Sequence, residues 1–165
     1  MIFLTIGSHE PFDRLVRALD AWAGASGREA RVFGQITARA RYIPEHFDHV
    51  ATLTPAEYAA HCADARLIVS HAGMGTILTA LQAGTPALLF PRRASLGETR
   101  NDHQIATAKK FYGRQGLTFV MDQAELPHAL DAALASGGSG AKPLSSVAEV
   151  RLTDAIRNFI FKVQT

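Results

Sequence analysis

Cysteine is almost missing: Cys62 is the single one in 165 residues. One thiol excludes a disulfide framework and a cysteine-based zinc site, and it fits a reducing compartment. Tyr58, Cys62 and Ala65 fall on one helical face, so Cys62 is expected in the core. No apolar run approaches the roughly 18 residues that a membrane span needs. Met1 to Leu4 leads into Thr5 and Gly7 with no basic leader region. A cytoplasmic protein is therefore expected, peripheral to the membrane through its surface or a partner. Charge of one sign is scarce as well, with 17 Lys+Arg against 15 Asp+Glu and a net charge of +2. That balance lacks the dense basic stripe of a nucleic-acid binder, and no nucleic-acid partner is expected. Familiar motifs are missing too. Gly73-Met74-Gly75 would need glycine at position 78 for a dinucleotide fingerprint, and Leu78 stands there. There is no Gly-Lys-Ser/Thr phosphate loop, no Gly-x-Ser-x-Gly elbow, no histidine pair with metal-helix spacing and no Asp-x-Asp pair. Neither a metal nor a cofactor is expected.

What remains is an ordinary globular composition, 47% hydrophobic and 19% charged, which excludes a disordered chain. Short apolar runs alternate with helix-period segments. Strands are predicted at Ile2–Ile6, Ala30–Phe33, His49–Leu53, Arg66–Val69, Pro86–Phe90 and Leu117–Val120. A helix follows Pro11 with Phe12, Leu15, Val16, Leu19 and Trp22 inward, closed by Gly24 and Gly27. Thr54-Pro55-Ala56-Glu57 is a capping box opening a second helix. Thr76–Ala83 is a third, with Ile77, Leu78 and Leu81 inward and a stop at Gly84. Asn101 caps a fourth, with Gln104 at its third position, and Asp122 caps a fifth ending near Ala135. This alternation predicts an α/β, Rossmann-like, doubly wound parallel sheet of about six strands. The expected organisation is a domain over residues 1–135, a Gly/Ser-rich connector over 136–144 and an amphipathic helix over 145–165.

The stretch Leu67 to Leu78 runs strand, glycine turn, helix. A helix N-terminus presents unpaired N–H groups and a partial positive charge, and glycines let an anion approach. Ligands of such sheets bind beyond the carboxyl ends of the strands, near the topological switch point. Three polar loops converge there: Gly7–Glu10, Ser70–Thr76 and Pro91–Gln104. A phosphate site without metal ligands needs helix dipoles and basic side chains, and Arg92, Arg93 and Arg100 are placed to serve. Several candidates have plain alternatives. His71 contacts a phosphate or is a structural histidine. Gln104 binds ligand or completes a cap with Asn101. Glu98 pairs with Arg93 or Arg100, and His9 is a candidate base.

Ser70-His71-Ala72-Gly73 with Thr76, Gly84-Thr85-Pro86, Pro91 and Asp102-His103-Gln104 resemble the C-terminal, donor-binding domain of glycosyltransferase family 28. Phe3-Leu4-Thr5-Ile6-Gly7-Ser8, Phe12-Asp13-Arg14-Leu15, Pro91-Arg92-Arg93 and Gly97-Glu98 are similar to the stand-alone catalytic subunits of split glycosyltransferases. These include the dolichol-pathway UDP-GlcNAc transferase and bacterial exopolysaccharide enzymes. The resemblance covers residues 1 to about 135 and implies one half of a GT-B fold, the half that binds a UDP-sugar. It places Gly7 and Ser8 by the diphosphate, with Gly73, Met74, Gly75 and Thr76 offering it backbone N–H groups. It places Asn101, His103 and Gln104 near the donor sugar. A glutamate common in the family corresponds to Thr79, which would hold the ribose less strongly. The implied reaction is an inverting, metal-independent transfer of a hexosyl or hexuronosyl group to a polyprenyl-diphosphate-linked acceptor in exopolysaccharide synthesis. A membrane-anchored acceptor-binding subunit is the implied partner. The final helix packs on its own domain or on that partner. Two other readings remain open: a non-catalytic UDP-sugar-binding module that scaffolds or regulates a polysaccharide assembly complex, and an epimerase-like enzyme of the same fold, which would require a second domain.

Overall fold

The computed structural model describes residues 1–25, 31–136 and 143. The expected stop at Gly27, most of the connector and the whole C-terminal helix lie outside the described residues. Six strands, β1 (Ile2–Thr5), β2 (Val32–Gln35), β3 (Asp48–Val50), β4 (Leu67–Ser70), β5 (Ala87–Leu89) and β6 (Leu117–Phe119), form one sheet in the order β3-β2-β1-β4-β5-β6. All five pairings are parallel. β1 and β4 are buried on both faces, which is why they read as continuous apolar runs rather than alternating ones. In register, Thr5 lies beside Gln35 on one side and Ser70 on the other, so polar side chains gather at the carboxyl end of the central strands. The chain steps outward from β1 to β3, then returns to place β4 on the other side of β1. The switch point thus falls between β1 and β4.

Helices α1 (Asp13–Ala23), α2 (Pro55–Asp64), α3 (Met74–Ala83), α4 (His103–Phe111) and α5 (Leu126–Ala135) cover the two faces. On one face Leu15, Leu19 and Trp22 of α1 and Leu126 and Leu130 of α5 pack on Ile2, Leu4, Val69 and Leu88. Trp22 Nε1 donates to Asp131 at 3.0 Å, fixing α1 against α5. On the other, Cys62 of α2 and Ile77, Ala80 and Leu81 of α3 pack on Phe3, Ile68 and Leu89. Each fully buried large side chain contributes about 1.5–3 kcal/mol, so these layers anchor the helices on both faces of the sheet.

Four expectations change. Leu78 is 45% exposed, because the inward stripe of α3 runs through Ile77, Ala80 and Leu81 and leaves Leu78 outside it. The cap of α4 is Asp102, not Asn101. β2 extends through Gly34, where a β-carbon would come within 2.9 Å of the Phe47 ring; this glycine permits a close approach instead of ending the strand. Asp122 does accept from Ala124 N at 3.0 Å, but it caps a 3₁₀ turn (Gln123–Glu125) that leads into α5.

Candidate functional site

Site construction begins at Ser70, the last residue of β4. Its hydroxyl donates to the Thr5 carbonyl at 2.6 Å, tying the ends of the two strands at the switch point. His71, Ala72 and Gly73 make the turn, and Gly73 is the extended N-cap of α3 with no side-chain acceptor and no acidic residue in the first turn. Met74, Gly75 and Thr76 are the first three helical residues, whose N–H groups have no intrahelical acceptor. A β-carbon on Gly75 would meet nothing within 4 Å. Thr76 is buried, and its hydroxyl oxygen accepts from Tyr58 Oη at 3.1 Å. Thr79 donates its hydroxyl to the Gly75 carbonyl at 3.0 Å, back along its own helix.

A cleft of about 800 Å³ opens over this turn at the carboxyl end of the sheet. It gathers Gly7, Ser8, His9, His71, Gly75, Thr76, Thr79, Arg92, Glu98 and Gln104 from the expected set. Gly73 lies against the His71 ring, and Met74 is 44% exposed at the start of α3. Arg93, Asn101 and His103 do not line the cleft.

The arginine loop is arranged differently from its sequence reading. Arg92 is buried, and its guanidinium donates to the carbonyls of Ile6 at 2.9 Å, Glu10 at 2.7 Å, Pro11 at 2.6 Å and Glu98 at 3.3 Å. Its planar fork therefore fixes the backbone of the first loop, and it sits over the Phe12 ring at 4.5 Å. Glu98 pairs with neither Arg93 nor Arg100. Its carboxylate takes Arg14 Nε at 2.6 Å and Nη2 at 2.7 Å, a bidentate pair that spans 84 positions, and it also accepts the Arg93 N–H at 2.9 Å. Arg93 turns its side chain outward to the Met121 carbonyl. Gln104 does not cap α4: its side-chain oxygen accepts the Arg92 N–H at 3.1 Å. Asn101 instead accepts the His103 N–H at 3.2 Å and contacts the His103 ring, while Asp102 accepts Ala94 N–H at 2.9 Å.

Two histidines line the cleft in different surroundings. His9 is exposed, with Nδ1 2.7 Å from Ser8 Oγ. His71 sits between two glycines. A β-carbon at Gly73 would lie 2.2 Å from its Nε2, and one at Gly7 would lie 3.2 Å from its Cε1. Gly7 also adopts φ +87°, which a side chain would strain. Burial pushes the His71 pKa down to about 4, with the Arg92 charge and then His103 adding to it against the Thr5 carbonyl. The ring is thus neutral at pH 7.

Several lining residues escaped the sequence reading. Gln82 continues the row of Gly75 and Thr79 along α3 at i, i+4 and i+7, a pattern that was legible. Leu53, just before α2, and Pro55, Tyr58 and Ala59 in its first turns also line the cleft. Tyr58 shares the inward face of α2 with Cys62, and its hydroxyl reaches the site through Thr76. Nothing local marked Arg14. Among the described residues, no three His, Cys, Asp or Glu side chains are grouped so as to hold a metal ion. Among them, too, no helix is long and apolar enough to cross a membrane.

An all-parallel sheet with an open helix end and a cleft at its switch point defines a Rossmann-like domain, of the type that forms each half of a GT-B glycosyltransferase. Residues 1–154 match the glycosyltransferase family 28 C-terminal domain, and the chain belongs to that family. Solved structures share the fold at low identity. MurG from Acinetobacter baumannii has a TM-score of 0.59 and 19% identity, covering 82% of this chain and 41% of that one. The glycotransferase of kitacinnamycin has a TM-score of 0.56 and 22% identity, covering 82% and 34%. VinC, solved in complex with DTDP, has a TM-score of 0.53 and 19% identity, covering 81% and 33%. The chain thus spans less than half the length of each of these proteins. A comparison with curated proteins gives no match.

Proposed function

We propose that this chain is the donor-binding, catalytic half of a UDP-sugar-dependent glycosyltransferase, completed by a separate acceptor-binding subunit. The observation that carries this reading is the uncapped N-terminus of α3 opening into the cleft of a family 28 domain. A diphosphate seated there would accept hydrogen bonds from the Met74, Gly75 and Thr76 N–H groups and lie in the positive field of the helix. Ser8 and His9 would approach it from the first loop. Thr79 and Gln82 would face the ribose, and Gln104 the donor sugar.

In the reaction, an acceptor hydroxyl oxygen bonds to the anomeric carbon as the bond from that carbon to the β-phosphate oxygen breaks. The electron pair leaves on UDP, and the acceptor proton passes to a base. Charge grows on the diphosphate during this step, so donors already aimed at it stabilise the transition state more than the ground state. His9 is the base candidate within this chain; the partner subunit is the other source. We assign the transfer as inverting and metal-independent, with a hexosyl or hexuronosyl donor and a polyprenyl-diphosphate-linked acceptor in exopolysaccharide synthesis. The membrane-anchored partner would hold the complex at the cytoplasmic face.

One observation favours a second reading, a non-catalytic UDP-sugar-binding module: Thr79, whose hydroxyl is already donated to Gly75, offers the ribose one neutral oxygen where the resemblance implies a carboxylate. Transfer from radiolabelled UDP-sugars to a polyprenyl-linked acceptor, with and without the co-expressed partner, separates the two. Transfer only with the partner supports the split enzyme. UDP binding without transfer from any donor, partner present, supports the module.

A further inference from the structure

The hydrogen bonds around His71 fix which of its nitrogens carries the proton. Ser70 Oγ lies 3.2 Å from Nδ1, and the Ser70 hydroxyl proton is committed to the Thr5 carbonyl at 2.6 Å. Toward the ring, Ser70 therefore offers only a lone pair, and the Thr5 carbonyl on the same side can only accept. Nδ1 must be the protonated nitrogen. Nε2 is then a bare lone pair, and it has no hydrogen-bond partner among the described residues. It lies on the Gly73 side of the ring, with a Gly73 β-carbon position only 2.2 Å away, so it sits at the N-terminus of α3. His71 lines the cleft there.

A bare lone pair at the mouth of an anion site repels a phosphate oxygen. The conflict disappears if a proton lies between them. We infer that binding of a sugar-nucleotide diphosphate brings one proton from solvent onto His71 Nε2, and that the new N–H donates to a phosphate oxygen. This rests on the donor-site reading above and deepens it. Ser70 is the positioning residue: its bond to Thr5 keeps Nδ1 a donor, so the incoming proton has only Nε2 to occupy. The imidazolium adds one positive charge while the diphosphate is bound, and the proton returns to solvent when UDP leaves.

The surrounding charges agree with this. The charge of Arg92, after β5, disfavours the cation, as does that of His103 from α4. His9 and Glu10 border the same cleft from the first loop, and Glu98 is neutralised by Arg14. The empty ring is held neutral by burial and by Arg92, at a pKa of about 4. A diphosphate supplies the nearby negative charge that reverses the balance.

The test uses the full chain, with its partner if binding needs it, and UDP-glucose and UDP-N-acetylglucosamine as probes. Their diphosphate has no ionisation of its own between pH 5 and 8. Calorimetry at pH 6.5 in buffers of different ionisation heat should show net proton uptake on binding, and affinity should rise as pH falls from 8 to 6, by as much as tenfold per unit. Histidine-ring NMR of the unaltered protein should show Nε2 of His71 gaining a proton on saturation. His71→Gln should bind with no proton uptake and a flat pH profile. Binding without proton uptake, or with the His71 ring still neutral, overturns the inference and leaves the donor site standing. If neither probe nor UDP binds at any pH, the donor-site reading itself fails.

Discussion

Helices α2 and α3 both begin at the carboxyl end of the sheet, and their first turns are built in opposite ways. Thr54 accepts the Glu57 N–H at 3.3 Å, and the Glu57 carboxylate accepts back from Thr54 N at 2.8 Å and its hydroxyl at 2.7 Å. The positive end of α2 is thereby filled by its own chain. Gly73 gives α3 no such acceptor. The unfilled end is the one that faces the cleft, and the filled end stands beside it at Pro55. Omission of a cap costs a helix roughly 1 kcal/mol. Here the same omission leaves the first N–H groups of α3 open to the cleft, which is what the proposed donor site requires.

Acid should separate the two ends. His71 is held below its ordinary value, so above pH 6.5 it is neutral folded and unfolded and costs nothing. Below that the unfolded chain binds a proton that the folded chain refuses. Stability therefore falls as pH drops from about 6.5 to about 4, by about 3 kcal/mol at most. Glu57 is shifted the other way by its bonds to Thr54: its contribution is present above the ordinary glutamate range and disappears as pH falls through its lowered folded pKa. Urea unfolding from pH 8 to 3 should show the first loss by pH 5.5. His71→Gln should remove that loss while leaving the more acidic one.

Glycines sharpen the contrast further. Gly73→Ala drives a methyl into the His71 ring, a clash that should destabilise the fold by about 1–3 kcal/mol. UDP binding should weaken at least tenfold, read by calorimetry. Glu98→Gln removes charge from the pair with Arg14 at 12% and 17% exposure, and should cost about 1–2 kcal/mol with loosening of the 91–100 loop. Intact stability in the Glu98 variant would mean that the loop is held by Arg92 alone.

The sheet was readable because fully buried parallel strands leave unbroken apolar runs, and all six were located within a few residues. The strand–glycine turn–helix of residues 67–78 was readable because its glycines and helix period adjoin in sequence. The arginine loop was not. Arg92, Arg93 and Arg100 look alike in a sequence, and only the fold shows that Arg92 is spent on four backbone carbonyls while Arg93 points away. Gln104 shows the same limit: the cap pattern with Asn101 was present, but a distant N–H at Arg92 claimed the side chain. Tertiary partners such as Arg14 for Glu98 leave no trace in local spacing.

The smallest change should be the most informative. Gly75 occupies the second helical position of α3, its β-carbon would meet no neighbour, and it lines the cleft. Gly75→Asp puts a carboxylate where the helix dipole favours one and replaces a poor helix former. It should stabilise the protein by about 0.5–1 kcal/mol. The same carboxylate would occupy the diphosphate position and repel it, so UDP affinity should fall at least tenfold. Thr54→Ala should do the reverse at α2, losing about 1 kcal/mol with UDP affinity unchanged. Opposite signs of stability and affinity in the Gly75 variant would show that the open end of α3 is maintained for an anion. A variant both stabler and still able to bind would place the diphosphate elsewhere in the cleft.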